Sequence, residues 1–207
     1  MSTERVCILD YGSGNVRSVF NLVSLLTKNV RVSNEVSVLH DATHLILPGV
    51  GAFGAVMEKI RERISLDVLE EEVLKKGKPF LGICVGMQVL ADKGFEFGEN
   101  TGLGWIPGTV ERVDSAGLSL PHIGWNDIRA VVDCPLFRDF DSNWNFYFVH
   151  SYAFRPISQD HIAATVNYGF EFAAVVQRGN IFGVQFHPEK SQKAGRRLVE
   201  NFLEIAG

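Results

Sequence analysis

Three short apolar runs, each breaking at a turn and each followed by residues of helical period, constrain this chain more than any other feature. Residues 6–9 end at Asp10-Tyr11-Gly12-Ser13-Gly14-Asn15, after which Val16, Val19, Phe20, Val23 and Leu26 recur at helical spacing. Residues 44–47 break at Pro48-Gly49-Val50-Gly51. Helical pattern resumes over 53–61 and 66–76, with Gly77 as a stop signal. Residues 80–83 run into Cys84, and Met87, Val89 and Leu90 start a further helix. Runs without polar alternation are strands covered on both faces, and strands alternating with helices predict a mostly parallel sheet.

After Gly98 the character changes. Strand candidates lie at 110–113, 144–149, 162–166, 173–177 and 181–186, and a helix at 194–205 turns Leu198, Phe202 and Ile205 inward. No internal repeat, low-complexity tract or linker interrupts the chain. Its 207 residues suit one domain with a conventional core. The expected fold class is α/β: a single domain over 1–207, with a mostly parallel central sheet, helices on both faces, and additional antiparallel strands in the second half.

Composition narrows the function classes. With 46% hydrophobic and 21% charged residues the chain is neither disordered nor a coiled coil, and a net charge of -4 offers no general attraction for nucleic acid. No apolar run is long enough to span a bilayer, and the first residues, Met1-Ser2-Thr3-Glu4-Arg5, lack the basic and apolar regions of a secretory signal. Cys7, Cys84 and Cys134 form an odd set without CxxC spacing, so no disulfide framework, metal or other cofactor is expected, and the cytoplasm is the expected location. Cys7 reads as a small buried thiol in a strand, and Cys134, before Pro135, as a turn residue.

Cys84 differs. Gly82-Ile83-Cys84-Val85-Gly86 has the G-x-nucleophile-x-G spacing of a tight strand-to-helix turn, which holds the middle residue in strained geometry at the carboxyl end of a sheet. The amino end of the following helix is expected to favour the thiolate. A buried cysteine beside two packing glycines would show the same five residues, so context has to decide.

Gln185-Phe186-His187-Pro188-Glu189 follows the last apolar strand. On an extended chain residues two apart share a face, so Glu189 could orient His187 while His187 exchanges protons with the thiol. A lone histidine at a strand end is more often structural; a carboxylate two residues on and a nucleophile turn elsewhere reverse that preference. Pro48-Gly49-Val50-Gly51 would alone be a connecting loop. Beside the Val85 amide, its backbone can stabilise a developing oxyanion, which completes what acyl transfer requires.

These segments, with Pro121-His122-Ile123-Gly124-Trp125-Asn126 and Tyr147-Phe148-Val149-His150-Ser151-Tyr152, resemble the class I (triad-type) glutamine amidotransferases over essentially the whole chain. Within that family the chain is similar to glutaminase subunits that serve an imidazole-forming cyclase in histidine biosynthesis. The resemblance implies glutamine as substrate, Cys84 as nucleophile, His187 as acid/base and Glu189 as its orienter. It also implies an oxyanion hole at Val50, Gly51 and Val85, and substrate binding by Gln88, Ser151 and Tyr152. The implied partner is a (β/α)8-barrel cyclase subunit in a heterodimer, met by a face to which Asn15, Trp125 and Lys190 are candidates.

Rival readings remain at this point. The same chemistry could feed an enzyme that amidates surface sugars; the thiol turn could be vestigial in a binding module; a related scaffold could be a cysteine peptidase. Gly12-Ser13-Gly14 falls short of a dinucleotide fingerprint because Arg17 stands where the third glycine belongs. His40 and His44 share a helical spacing but lack further ligands, and read as surface residues.

Overall fold

Apolar runs with no polar face need cover on both sides, and the first half of the chain supplies it by alternating strands with helices. The computed structural model describes residues 4–140 and 144–206, so Met1–Thr3, part of the expected leader-free start, lie outside the described residues. Strand β1 (Val6–Leu9) leads through α1 (Val16–Ser24) to β2 (Val30–Ser33), and α2 (Val36–Asp41) precedes β3 (His44–Gly49). Helices α3 (Phe53–Arg63) and α4 (Leu66–Glu70) come next, then β4 (Phe80–Cys84) and the single turn α5 (Val85–Gln88).

The second half contributes β5 (Lys93–Gly94), β6 (Asn100–Thr101), β7 (Gly108–Arg112), β8 (His122–Ala130), β9 (Asn145–His150), β10 (Tyr152–Pro156), β11 (Ile162–Tyr168), β12 (Phe170–Arg178) and β13 (Ile181–Val184), before α6 (Gln192–Leu203). The large sheet has nine strands in the order β2-β1-β3-β4-β13-β12-β11-β8-β9. From β2 to β13 the pairs are parallel; from β13 to β9 they are antiparallel. A smaller sheet, β10-β7-β5-β6, receives the chain as it leaves β9 through Ser151. One buried apolar cluster contains residues from Val6 to Leu203 and so joins both halves. The α/β class and the antiparallel second half are as the sequence patterns require.

Several elements depart from expectation. β2 and α2 carry too little apolar periodicity to announce themselves: β2 is an edge strand with two of its four residues exposed. β8 hides because Ile123 and Trp125 face outward while His122 is buried, the inverse of an ordinary amphipathic strand. The expected helix at 66–76 is α4 followed by a π-helical turn, Glu71–Lys75. The expected helix through Val89 and Leu90 stops at Gln88. The carbonyls of Val89, Leu90 and Ala91 are taken by the amides of Leu103, Ile106 and Gly104, so no further helical turn can use them.

His44, expected at the surface, is buried at the start of β3; its ring lies 3.0 Å from the Ile205 carbonyl and packs edge-on against Phe202. His40 stays at the surface and meets Glu72. The buried Glu72 carboxylate receives His40 Nδ1 at 2.6 Å, Lys76 Nζ at 2.6 Å and Lys78 Nζ at 2.7 Å. Burial pushes its acidity down, but hydrogen bonds from Lys76, Lys78 and His40 outweigh burial and hold the carboxyl at about 2, below its ordinary 4.5.

A depressed folded-state value means that Glu72 stabilises the fold fully above the ordinary carboxylate range and loses that contribution as pH falls from 4.5 through about 2. Glu72→Ala, which leaves the nearly buried Lys78 ammonium without its carboxylate, is expected to cost about 2 kcal/mol at neutral pH. In Glu72→Gln the same urea-unfolding series should show a flatter loss of stability below pH 4.5 than the parent chain.

Candidate active site

Because β3, β4 and β13 are parallel neighbours, their carboxyl ends emerge on one edge of the sheet. Gly49 stands opposite Cys84, and Val184 stands opposite Ile83, so the residues after β13 come up beside the cysteine. Cys84 has φ 55° and ψ -112°, a conformation that costs a non-glycine residue roughly 1–3 kcal/mol. Gly82 and Gly86 are required by proximity. A methyl group on Gly86 would overlap the Leu47 carbonyl, and one on Gly82 would overlap the Gly86 carbonyl. The helix behind Cys84 is only Val85–Gln88, so the sulfur is offered the free amides of one turn rather than a long dipole.

His187 follows β13, and its amide bonds to the Tyr147 carbonyl at 2.9 Å. Its Nδ1 lies 2.7 Å from Glu189 Oε1, with both side chains buried. The two are not joined by an extended segment, as the spacing suggested. Pro188–Lys190 forms a 3-10 turn, for which the fixed φ of Pro188 is suited, and Glu189 folds back onto the ring. Nδ1–H therefore donates to Glu189 and Nε2 is left for the thiol. Burial opposes charge on the ring, yet hydrogen bonds and charge interactions with Cys84 and Glu189 prevail and raise His187 from 6.5 to about 9. Nε2 makes no well-aligned hydrogen bond among the described residues.

A cavity of about 360 Å³ opens in front of the cysteine, with Val50, Gly51, Val85, Gln88, Ser151, Tyr152, His187 and Lys190 in its wall. The loop after β1 braces two sides of it. Tyr11 Oη donates to the Pro48 carbonyl at 2.7 Å and Ser13 Oγ to the Val50 carbonyl at 3.3 Å, which tether the oxyanion segment. Asn15, read as a partner-face residue, gives its amide to Glu189 Oε1 at 3.0 Å, so it acts on the triad.

Gln88 is 2% exposed, and its Nε2 donates to the Tyr152 carbonyl at 3.0 Å and to Gln185 Oε1 at 3.1 Å. Both hydrogens being taken, Gln88 can offer a substrate only its oxygen, which suits an ammonium or amide N–H. Glu96, also in the wall, carries a carboxylate that accepts the Phe53 amide at 2.9 Å and can meet an ammonium. It escaped notice because it sits in an irregular, charge-rich stretch with no periodic or motif signal. Trp125 is 46% exposed, so it is not a core residue; it meets Tyr147 edge-on at 6.1 Å, and Lys190 Nζ lies 5.4 Å from the Tyr147 ring centre. Together they make a patch that reaches the cavity through Lys190.

Residues 7–206 match the family model described as glutamine amidotransferase class-I. The chain is 43% identical to imidazole glycerol phosphate synthase subunit HisH 1 of Methanococcus maripaludis, covering 97% of this chain and 99% of that protein. It is 44% identical to imidazole glycerol phosphate synthase subunit HisH of Bdellovibrio bacteriovorus, over 96% of this chain and 98% of the relative. Among solved structures, one described as a glutamine amidotransferase superimposes with a TM-score of 0.74 at 21% identity, covering 96% of this chain and 97% of the other, a likeness of fold.

Removing the sulfur removes one of the two groups that raise His187 and leaves the opposing effect of burial. In Cys84→Ala the imidazole, followed by its ring-proton NMR shift, is expected to titrate at least about one pH unit lower than in the parent chain. An unchanged midpoint would show that the two groups do not interact.

Proposed function

The chain belongs to the class-I glutamine amidotransferase family, and from that premise we propose that it is the glutaminase subunit of an imidazole glycerol phosphate synthase in histidine biosynthesis. The observation that carries the chemistry is Cys84 in its strained turn with the buried His187–Glu189 pair on the neighbouring strand's extension.

Glutamine enters the cavity with its ammonium toward the Gln88 oxygen and the Glu96 carboxylate, and with main-chain groups at Ser151 and Tyr152 at its amino-acid end. Cys84 Sγ attacks the side-chain amide carbon. The carbonyl oxygen takes the negative charge and is received by peptide N–H groups at Val50, Gly51 and Val85. His187 gives its Nε2 proton to the departing nitrogen, ammonia leaves, and a thioester remains. His187 then takes a proton from water, whose oxygen attacks the thioester carbon, and glutamate departs as the thiolate re-forms. Glu189, held by Asn15, keeps the ring in the tautomer that both steps use.

Ammonia passes to a cyclase subunit, a (β/α)8 barrel, docked on the face that carries Trp125 and Lys190. Lys190 lines the cavity and Trp125 meets it through Tyr147, so a partner seated there would cover the thiol as well as receive the product. Ammonia release, measured with and without the candidate cyclase and its nucleotide ligand, tests the reading. Activity should be low alone and rise strongly with the loaded partner, and Cys84→Ala should lower the stimulated rate by at least about 10⁴-fold. Full activity without a partner would remove the coupling. Stimulation by a sugar-amidating enzyme instead would reassign the acceptor. Lys190→Ala should weaken partner affinity or stimulation; no change in either would take Lys190 out of the interface.

A further inference from the structure

The mechanism leaves one buried polar side chain beside the sulfur without a task. Gln185 is fully buried, is the residue that follows β13, and comes alongside Cys84 because Val184 pairs with Ile83. Its Nε2 lies 3.7 Å from Cys84 Sγ, within hydrogen-bonding reach of sulfur. Its Oε1 receives Gln88 Nε2 at 3.1 Å.

Which end of an amide meets the sulfur is ordinarily a matter of assignment, but here the surroundings settle it. The Tyr152 carbonyl can only accept, so the end of Gln88 that approaches it at 3.0 Å must be the NH₂ group. The second hydrogen of that NH₂ then requires the oxygen end of Gln185, which turns the Gln185 NH₂ group toward the thiol. The same carbonyl is approached by His150 Nδ1 at 2.9 Å, and His150 Nε2 lies 3.2 Å from His122 Nδ1. Burial lowers both rings, His150 to about 3, so they are neutral: His150 donates to the carbonyl and accepts from His122. The Tyr152 carbonyl thus accepts from both His150 and Gln88, and from Gln88 the donors run through Gln185 to the nucleophile.

We propose that Gln185 is a catalytic residue: its oriented amide N–H donates to the Cys84 sulfur and stabilises the thiolate that attacks glutamine. The inference rests on Cys84 being the nucleophile of the reaction above. A donor to an anion is worth more than one to a neutral group, so Gln185 favours the charged sulfur over the thiol. When the sulfur becomes a thioester it loses its negative charge, and the bond weakens as the substrate's carbonyl oxygen takes charge elsewhere. Because Gln185 and the substrate share Gln88, filling the cavity also tightens the amide that meets the sulfur.

The titratable groups around the sulfur are His187 and Tyr11, with Glu96 and Lys190 across the cavity. Each of these groups is kept in the variants, and the two substitutions differ in whether Gln88 retains its acceptor. Gln185→Met keeps the volume and removes the amide. Gln185→Glu keeps an acceptor for Gln88 and sets a negative oxygen against the sulfur.

The test is the rate of Cys84 alkylation by iodoacetamide across pH in the full chain, with Cys84→Ala to assign the labelled thiol and circular dichroism to check folding. Near neutral pH, Gln185→Met should react about tenfold more slowly than the parent chain, Gln185→Glu more slowly still, and both should recover at alkaline pH. Profiles that superimpose on the parent's in both variants would overturn the proposal. Alkylation needs no glutamine and no cyclase, so a failure of the glutaminase reading would appear in ammonia release and a failure of this one in alkylation.

Discussion

Everything at the site depends on three parallel strands ending level with one another. Backbone ladders hold Gly49 opposite Cys84 and Gly183 opposite Gly82, and a parallel ladder has no freedom to slip without moving every buried side chain to the opposite face. Cys84, His187 and the Val50-Gly51 segment, which lie far apart along the chain, therefore share one edge. The close passage of these strands and of α5 is also what excludes side chains at Gly49, Gly82 and Gly86. Glycine at those positions is thus a packing requirement of the register itself.

Charge is handled in the same economical way. The imidazole of His187 is buried, which would ordinarily keep it neutral, and its interactions with Cys84 and Glu189 make its charged form the favoured one. Such an ion pair in a water-poor pocket is costly unless its members are held in place. The holding comes from neighbours with unambiguous hydrogen-bonding roles: Asn15 on Glu189, Ser191 Oγ on the His187 carbonyl at 2.6 Å, and Gln185 on the sulfur. The loop after β1 reaches both Glu189, through Asn15, and the segment of residues 48–50, through Tyr11 and Ser13, so a push on that loop would be felt on two sides of the cavity.

The opposite wall is built where the chain leaves the large sheet for the small one. At Ser151 it passes from β9 to β10, and the carbonyl of Tyr152 gathers Gln88 and His150. β10 is the edge strand of the small sheet, so the Tyr152 carbonyl is free to order the two side chains. Lys190, in the cavity wall, also meets Tyr147, which packs against the exposed Trp125.

Strand–turn–helix order, the strained thiol turn and the His187–Glu189 pair were all legible in the sequence, because unalternated apolar runs and glycines at fixed offsets are local signals. Residues whose signal is not local were hidden. Gln185 and Glu96 carry no periodicity, and Asn15 declares its task only when Glu189 arrives from the far end of the chain. β8 defeats pattern reading because its exposed face is the apolar one, and Val89 and Leu90 leave the expected helix because a loop a dozen residues later claims their carbonyls. The sequence by itself determined which atoms could do the chemistry and what kind of sheet would carry them. Tertiary structure alone decided which polar groups face the sulfur and which way their amides turn, because hydrogen-bond direction is settled by partners that meet only once the strands are in register.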